Sequence, residues 1–151
     1  MRKLFAAAAL AVALMTPALL LAGDDHSAWL TDWNKAATSA KKHKRLILTD
    51  FTGSDWCGWC IKLKKEVFNT AEFKAWAKDN VVLLELDFPR RTKQADELKA
   101  QNQKLMKKYG IRGFPTILFL DADGNKKGKM GYMKGGPKAW IAAAQKIIDA
   151  K

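Results

Sequence analysis

Three short apolar runs punctuate the chain: Leu46 to Phe51, Val81 to Phe88 and Thr116 to Leu120. Each is too short for a typical helix, rich in β-prone residues and bounded by turn formers or Pro, so each predicts a buried strand. Gly53 and Ser54 turn the chain after the first run, and Pro89 stops the second. The turn Asp121-Ala122-Asp123-Gly124 leads from the third into a fourth strand, expected around Lys129 to Met133. Between these runs the apolar period changes from two to about 3.6. Ser27 is placed to cap a helix carrying Trp29, Trp33, Ala36, Ala37 and Ala40 on one stripe, ended by the basic residues 41–45. A second helix starts at Cys57-Gly58-Trp59-Cys60, burying Leu63, Val67 and Phe68 while Lys62, Lys64 and Lys65 stay wet. Asn69 or Thr70 restarts a helix through Phe73 and Trp76, with Glu72 placed for a capping box. Leu98, Leu105, Met106 and Tyr109 mark another, closed by Gly110, and Pro137 opens a last helix with Trp140, Ala144, Ile147 and Ile148 inward.

After the first helix the order is therefore β-α-β-α-β-β-α. Strands separated by helices predict parallel pairing, and the last two, joined by a short turn, predict a hairpin. The expected architecture is α/β: a mixed four-stranded sheet with helices on both faces and an extra helix in front.

A length of 151 residues suits one domain with one core. The beginning of the chain reads differently. Arg2 and Lys3 precede an almost wholly apolar or small segment, Leu4 to Ala22, and charge resumes at Asp24 and Asp25. This is the layout of a secretory signal peptide over residues 1–22, cut after Ala22 or Gly23, or of an uncleaved N-terminal anchor. No Cys near its end would carry a lipid. Both readings deliver the remaining domain, residues 24–151, outside the cytoplasm, to the periplasm or beyond. The formal charge of +12 is spread over clusters at residues 41–45, 62–65, 90–93 and 126–129. Scattered in this way, and behind an export signal, they predict a solvated basic surface and no nucleic-acid partner. Contact with a membrane is expected only if the N-terminal segment stays attached.

The two cysteines, Cys57 and Cys60, lie two residues apart at a predicted strand-to-helix junction. A thiolate there faces unpaired backbone N–H groups and the positive end of the helix dipole, which lowers its pKa below the free value of about 8.5. Cys57 can then attack a disulfide, and Cys60, one turn on, can resolve the mixed disulfide. Zinc is a poor alternative, because only His26 and His43 could join the pair, both at the wrong spacing. Haem attachment needs His where Ile61 stands. A structural disulfide remains open, though a bridge over so short a loop stabilises little. No metal and no bound cofactor is expected.

These residues and a second segment resemble the thioredoxin superfamily. Asp50-Phe51 followed by Trp56-Cys57-Gly58-Trp59-Cys60 is similar to its acid-aromatic strand end and Trp-Cys-Gly-Pro-Cys motif. Tyr109-Gly110-Ile111-Arg112-Gly113-Phe114-Pro115-Thr116 is similar to the segment around its cis-proline. The resemblance covers roughly residues 44–150, and the string Asp50 to Cys60 is most like an exported thioredoxin-like branch. It implies the thioredoxin fold and a set of roles. Cys57 would be the exposed nucleophile, Cys60 the buried resolving thiol, and Asp50 the buried acid that takes the Cys60 proton. Pro115 would be cis and would set the Phe114 backbone beside Cys57 to pair with an extended substrate. Gly131 would let substrate approach closely, or would be an ordinary hairpin glycine. Trp56, Trp59 and Phe114 would surround Cys57 as an apolar landing patch for polypeptide, or would serve the core, Trp56 in part as packing.

The departures are specific. Trp59 stands where thioredoxin has proline and disulfide isomerases have histidine, which leaves the direction of electron flow open. One extra residue separates Asp50 from Cys57 and would move the acid relative to Cys60. Leu83 or Glu85 falls where thioredoxin places a lysine near its buried acid, leaving Asp50 without that basic neighbour. The first helix would replace thioredoxin's opening strand. The function implied is thiol–disulfide exchange on cysteine-containing exported proteins, in the reductase or isomerase direction, with a redox partner that recycles the pair. The alternative is a non-catalytic module that keeps the fold and holds a partner or unfolded chain on its aromatic patch.

Overall fold

The computed structural model describes residues 28–150. Its sheet is built on β1 (Leu46–Thr52), in which every residue is buried, as the continuous apolar run requires of a central strand. β2 (Val81–Asp87) pairs with β1 in parallel, in the register Leu46 with Val81 through Thr52 with Asp87. On its other side β1 pairs with β3 (Thr116–Leu120), and β3 with β4 (Lys126–Met130), giving the order β2-β1-β3-β4.

Alternation along the strands assigns the two faces. Leu46, Leu48, Leu83, Ile117 and Phe119 point to one side, where α2 (Gly58–Leu63) and its π-helical continuation (Lys64–Phe68), α3 (Ala71–Asn80) and α5 (Gly136–Asp149) cover them. Ile47, Phe51, Leu84 and Leu118 point to the other, under α1 (Trp33–His43) and α4 (Asp96–Lys108). The expected mixed sheet with helices on both faces is therefore present. Fully buried Trp140 anchors α5 among Phe68, Phe73 and Trp76.

Three expectations are corrected. β3 is antiparallel to β1 rather than parallel. Thr52 pairs with Asp87 and Phe51 with Thr116, so the connection through α4 begins and ends at one end of the sheet instead of crossing to the far end. β4 begins at Lys126, three residues early, because the Asp121 carboxylate accepts the N–H groups of Asp123 and Asn125 and closes a tight turn with Gly124 at φ +84°. α1 begins at Trp33, where the Asp32 carboxylate caps the Lys35 N–H; Trp29 lies before it, and Ser27 lies outside the described residues. The helix does stand first, where an opening strand was not expected, and ahead of it, among the described residues, the sheet is bridged at one residue only. Leu30 forms a single parallel bridge to Leu84, donating to Leu83 and accepting from Glu85. At α3 the cap is Thr70, whose Oγ1 accepts from Phe73 N at 3.2 Å.

The signal peptide or anchor over residues 1–22 lies outside the described residues. Among those that are described, no helix is long and apolar enough to cross a membrane.

Candidate active site

The chain leaves β1 into a tight turn in which the Gly53 carbonyl accepts the N–H groups of Trp56 and Cys57. Cys57, still extended at φ −83°, ψ 103°, is the N-cap of α2. Its Sγ accepts the Cys60 backbone N–H at 3.3 Å, so the sulfur satisfies one of the orphan donors of the first turn. A thiolate at this atom would keep that N–H and the positive end of the helix. Cys57 and Cys60 form a disulfide across a Cα separation of 5.3 Å. The expected contrast between an exposed and a buried cysteine is slight here: Cys57 is 7% exposed and Cys60 4%. Both cysteines are therefore buried in the disulfide form. Cys60 lines a surface cleft of about 200 Å³ with Thr52 and Lys64.

Asp50 lies on the β1 face that α2 covers. It is 4% exposed, and its Oδ1 has no hydrogen-bond partner. Burial raises its pKa from 3.8 to about 8; the neighbouring carboxylates Glu85 and Asp87 add to the rise, and the Lys64 ammonium opposes it. Glu85 is the register partner of Asp50 on β2. The missing basic neighbour is thus supplied from another element, since Lys64 Nζ lies 2.9 Å from Glu85 Oε2. Lys64 was expected to be wet, but it begins the π-helical stretch and is only half exposed, with its head turned to the sheet. Asp87 is occupied by Ser54, accepting from its N–H at 2.9 Å and its hydroxyl at 2.5 Å.

The three aromatic candidates separate. Trp59 is 56% exposed, standing beside Tyr132 (ring centroids 5.0 Å apart), with the Lys62 ammonium 5.3 Å from both rings. Trp56 is held by structure: its Nε1 donates to the Phe88 carbonyl at 2.8 Å, and its ring meets Phe114 edge-on. Phe114 stacks on Phe88, 5.1 Å away, at the margin of the core under α4. Only Trp59 of the three is free to form an exposed landing surface.

The second motif reaches the same end of the sheet. The Phe114–Pro115 bond is cis and immediately precedes β3. Pro115, Phe114, Arg112, Met130 and Gly131 line an open cleft of about 720 Å³, which neither cysteine lines. A Cβ on Gly131 would meet only the Pro115 carbonyl, at an ordinary 3.5 Å, so packing within the chain does not require glycine there. Gly131 is held by Trp140, whose Nε1 donates to its carbonyl at 3.1 Å.

Asp55 was missed by sequence reasoning. Its carboxylate accepts the backbone N–H groups of Arg90, Arg91 and Thr92, and those bonds, led by that of Arg90, lower its pKa to about 2. It thereby fixes the loop after β2, where the Arg90 guanidinium lies 3.5 Å over the Trp56 ring. The only sequence signal was the extra residue between Asp50 and Cys57.

Comparison with known proteins agrees with this geometry. Residues 33–145 match the family model described as a thioredoxin-like domain. The disulfide bond reductase DsbH of Chlamydia pneumoniae is 37% identical over 113 residues, which cover 75% of this chain and 68% of that protein. The thioredoxin-related protein DsbJ of the same organism is 29% identical over 123 residues, 80% of this chain but only 35% of its relative. A solved structure titled DsbH oxidoreductase superposes with a TM-score of 0.78 at 33% identity, covering 82% of this chain and 85% of the other. The oxidised C-terminal domain of Neisseria meningitidis DsbD, at 21% identity and a TM-score of 0.59 over 79% of this chain and 98% of the other, shares the fold. The chain belongs to the thioredoxin-like domain family, and it is a thiol–disulfide oxidoreductase with Cys57 and Cys60 as its redox pair.

Proposed function

We propose that the chain is an exported reductase of disulfides in other exported proteins, with Cys57 as nucleophile, Cys60 as resolving thiol and Asp50 as proton acceptor. The observation that carries this reading is the pairing of a helix-capping Cys57 with a buried Asp50, its Oδ1 without a hydrogen-bond partner, on the sheet face that the same helix covers. In the reduced enzyme the Cys57 thiolate attacks a substrate disulfide, forming a mixed disulfide and releasing one substrate thiolate, which takes a proton from water. The ionised fraction of Asp50, which grows as pH approaches its pKa of about 8, takes the Cys60 proton. The Cys60 thiolate then attacks Cys57 Sγ, the second substrate thiolate leaves, and the enzyme is left as the Cys57–Cys60 disulfide. Two electrons have passed to the substrate. An external dithiol partner must return them.

The reductive direction is supported by the name of the 37% identical relative, a disulfide bond reductase, and by the pair Gly58-Trp59, which has neither the proline in first position nor the histidine associated with strongly oxidising relatives. Export is supported by the basic and apolar residues 2–22. Trp59 with Tyr132 would receive the polypeptide, and the cleft at Phe114, Pro115 and Gly131 would take its extended backbone. Equilibration against glutathione buffers tests the direction. The reading expects a potential toward the reducing end of the catalytic range, about −200 to −270 mV; a value near −120 mV would make the protein an oxidant.

A further inference from the structure

Beside Asp50 in the sheet register lies an ion pair, Lys64 with Glu85, that belongs to neither cysteine motif. β1 and β2 place Asp50 and Glu85 directly opposite one another on the face covered by α2, and Lys64 reaches down from the helix to Glu85 at 2.9 Å. Lys64 follows Cys60 by four residues, one helical turn, and both line the same small cleft. We propose that Lys64 and Glu85 are positioning residues that hold a paired, opposed charge against Asp50 and so set how readily it exchanges a proton with Cys60. This rests on the reading of Asp50 as proton acceptor.

Among the described residues, the charged groups that bear on Asp50 are few. Glu85 and Asp87 come from β2 and Lys64 from the helix, while β3 opposes it with Ile117. Asp87 is bound to Ser54 and is not free to change. The adjustable charges are therefore Glu85 and Lys64, and they act with opposite sign. Glu85 disfavours the Asp50 carboxylate by like-charge proximity and also draws the ammonium onto itself; Lys64 favours the carboxylate. With side-chain exposures of 44% for Lys64 and 19% for Glu85, solvent screens the pair only partly, and neither is so buried that a neutral replacement must unfold the chain.

The experiment follows two quantities against pH. One is the carboxyl ¹³C shift of Asp50 in the oxidised protein; the other is the rate at which Cys60 resolves a Cys57 mixed disulfide with glutathione. Glu85→Gln should move the Asp50 titration down by about one pH unit and Lys64→Met should move it up by a similar amount. The resolution profile should follow in both cases. Lys64→Arg, which keeps the charge, should leave both profiles in place. A merely structural ion pair would shift neither titration, and that result overturns the inference. Asp50→Asn separates the two levels. If it leaves the resolution profile unchanged, the proton-acceptor reading falls; if it abolishes the inflection while Glu85→Gln and Lys64→Met do not move it, only the role of the ion pair falls.

Discussion

The indole of Trp56 closes over Gly53 so tightly that a Cβ built on Gly53 would lie 2.6 Å from the ring atoms Cε2 and Nε1. Glycine is needed there by contact rather than by backbone conformation. Because the same indole donates to Phe88 and meets Phe114, displacing it disturbs both motifs at once. Gly53→Ala should cost about 1–3 kcal/mol in a denaturant titration, as overpacking does, and should slow disulfide reduction.

Trp59 has no comparable structural duty. Its ring is exposed and touches Tyr132 and Lys62 at the surface. Trp59→Ala should change stability by less than about 0.5 kcal/mol. It should raise KM for an unfolded polypeptide disulfide about fivefold, corresponding to roughly 1 kcal/mol of lost contact. The loss should be larger for polypeptide than for a small disulfide, and steady-state kinetics with both substrates checks this.

Asp50 should leave a signature in stability as well as in catalysis. Its pKa rises from 3.8 to about 8 in the folded chain, chiefly through burial. Between those values the folded state holds a proton that the unfolded state has lost, so stability falls as pH rises, by about 1.4 kcal/mol per unit. Below the lower value and above the upper the contribution is flat. Asp50→Asn should remove this slope, stabilising the oxidised protein increasingly from pH 4 to pH 8. Urea titrations at several pH values measure it.

The buried strands were legible because continuous apolar runs have few other destinations, and β1 is buried along its whole length. The cysteines, Asp50 and Pro115 were legible because the two motifs are specific. β4 was misplaced because it is a sheet edge made largely of exposed lysines, so no apolar period marks it. Leu30 carries one bridge, and a single residue has no period at all. Lys64 was hidden for a different reason. It sits in a lysine-rich run that reads as solvated, and its partner Glu85 is 21 residues away, a pairing that only the register of β1 and β2 explains. Asp55 likewise acts on backbone N–H groups more than 30 residues on, and backbone partners leave no trace in side-chain pattern.

The central claim is that Cys57 attacks and Cys60 resolves, with electrons passing from this chain to exported proteins. Removing the resolving thiol should stop the reaction at the mixed disulfide. Cys60→Ser, expressed in full length, should accumulate covalent adducts with cysteine-containing exported proteins, released by reductant and visible on non-reducing gels. The corresponding Cys57→Ser variant should form few. Absence of adducts from Cys60→Ser, or equal trapping by the two variants, would contradict the account.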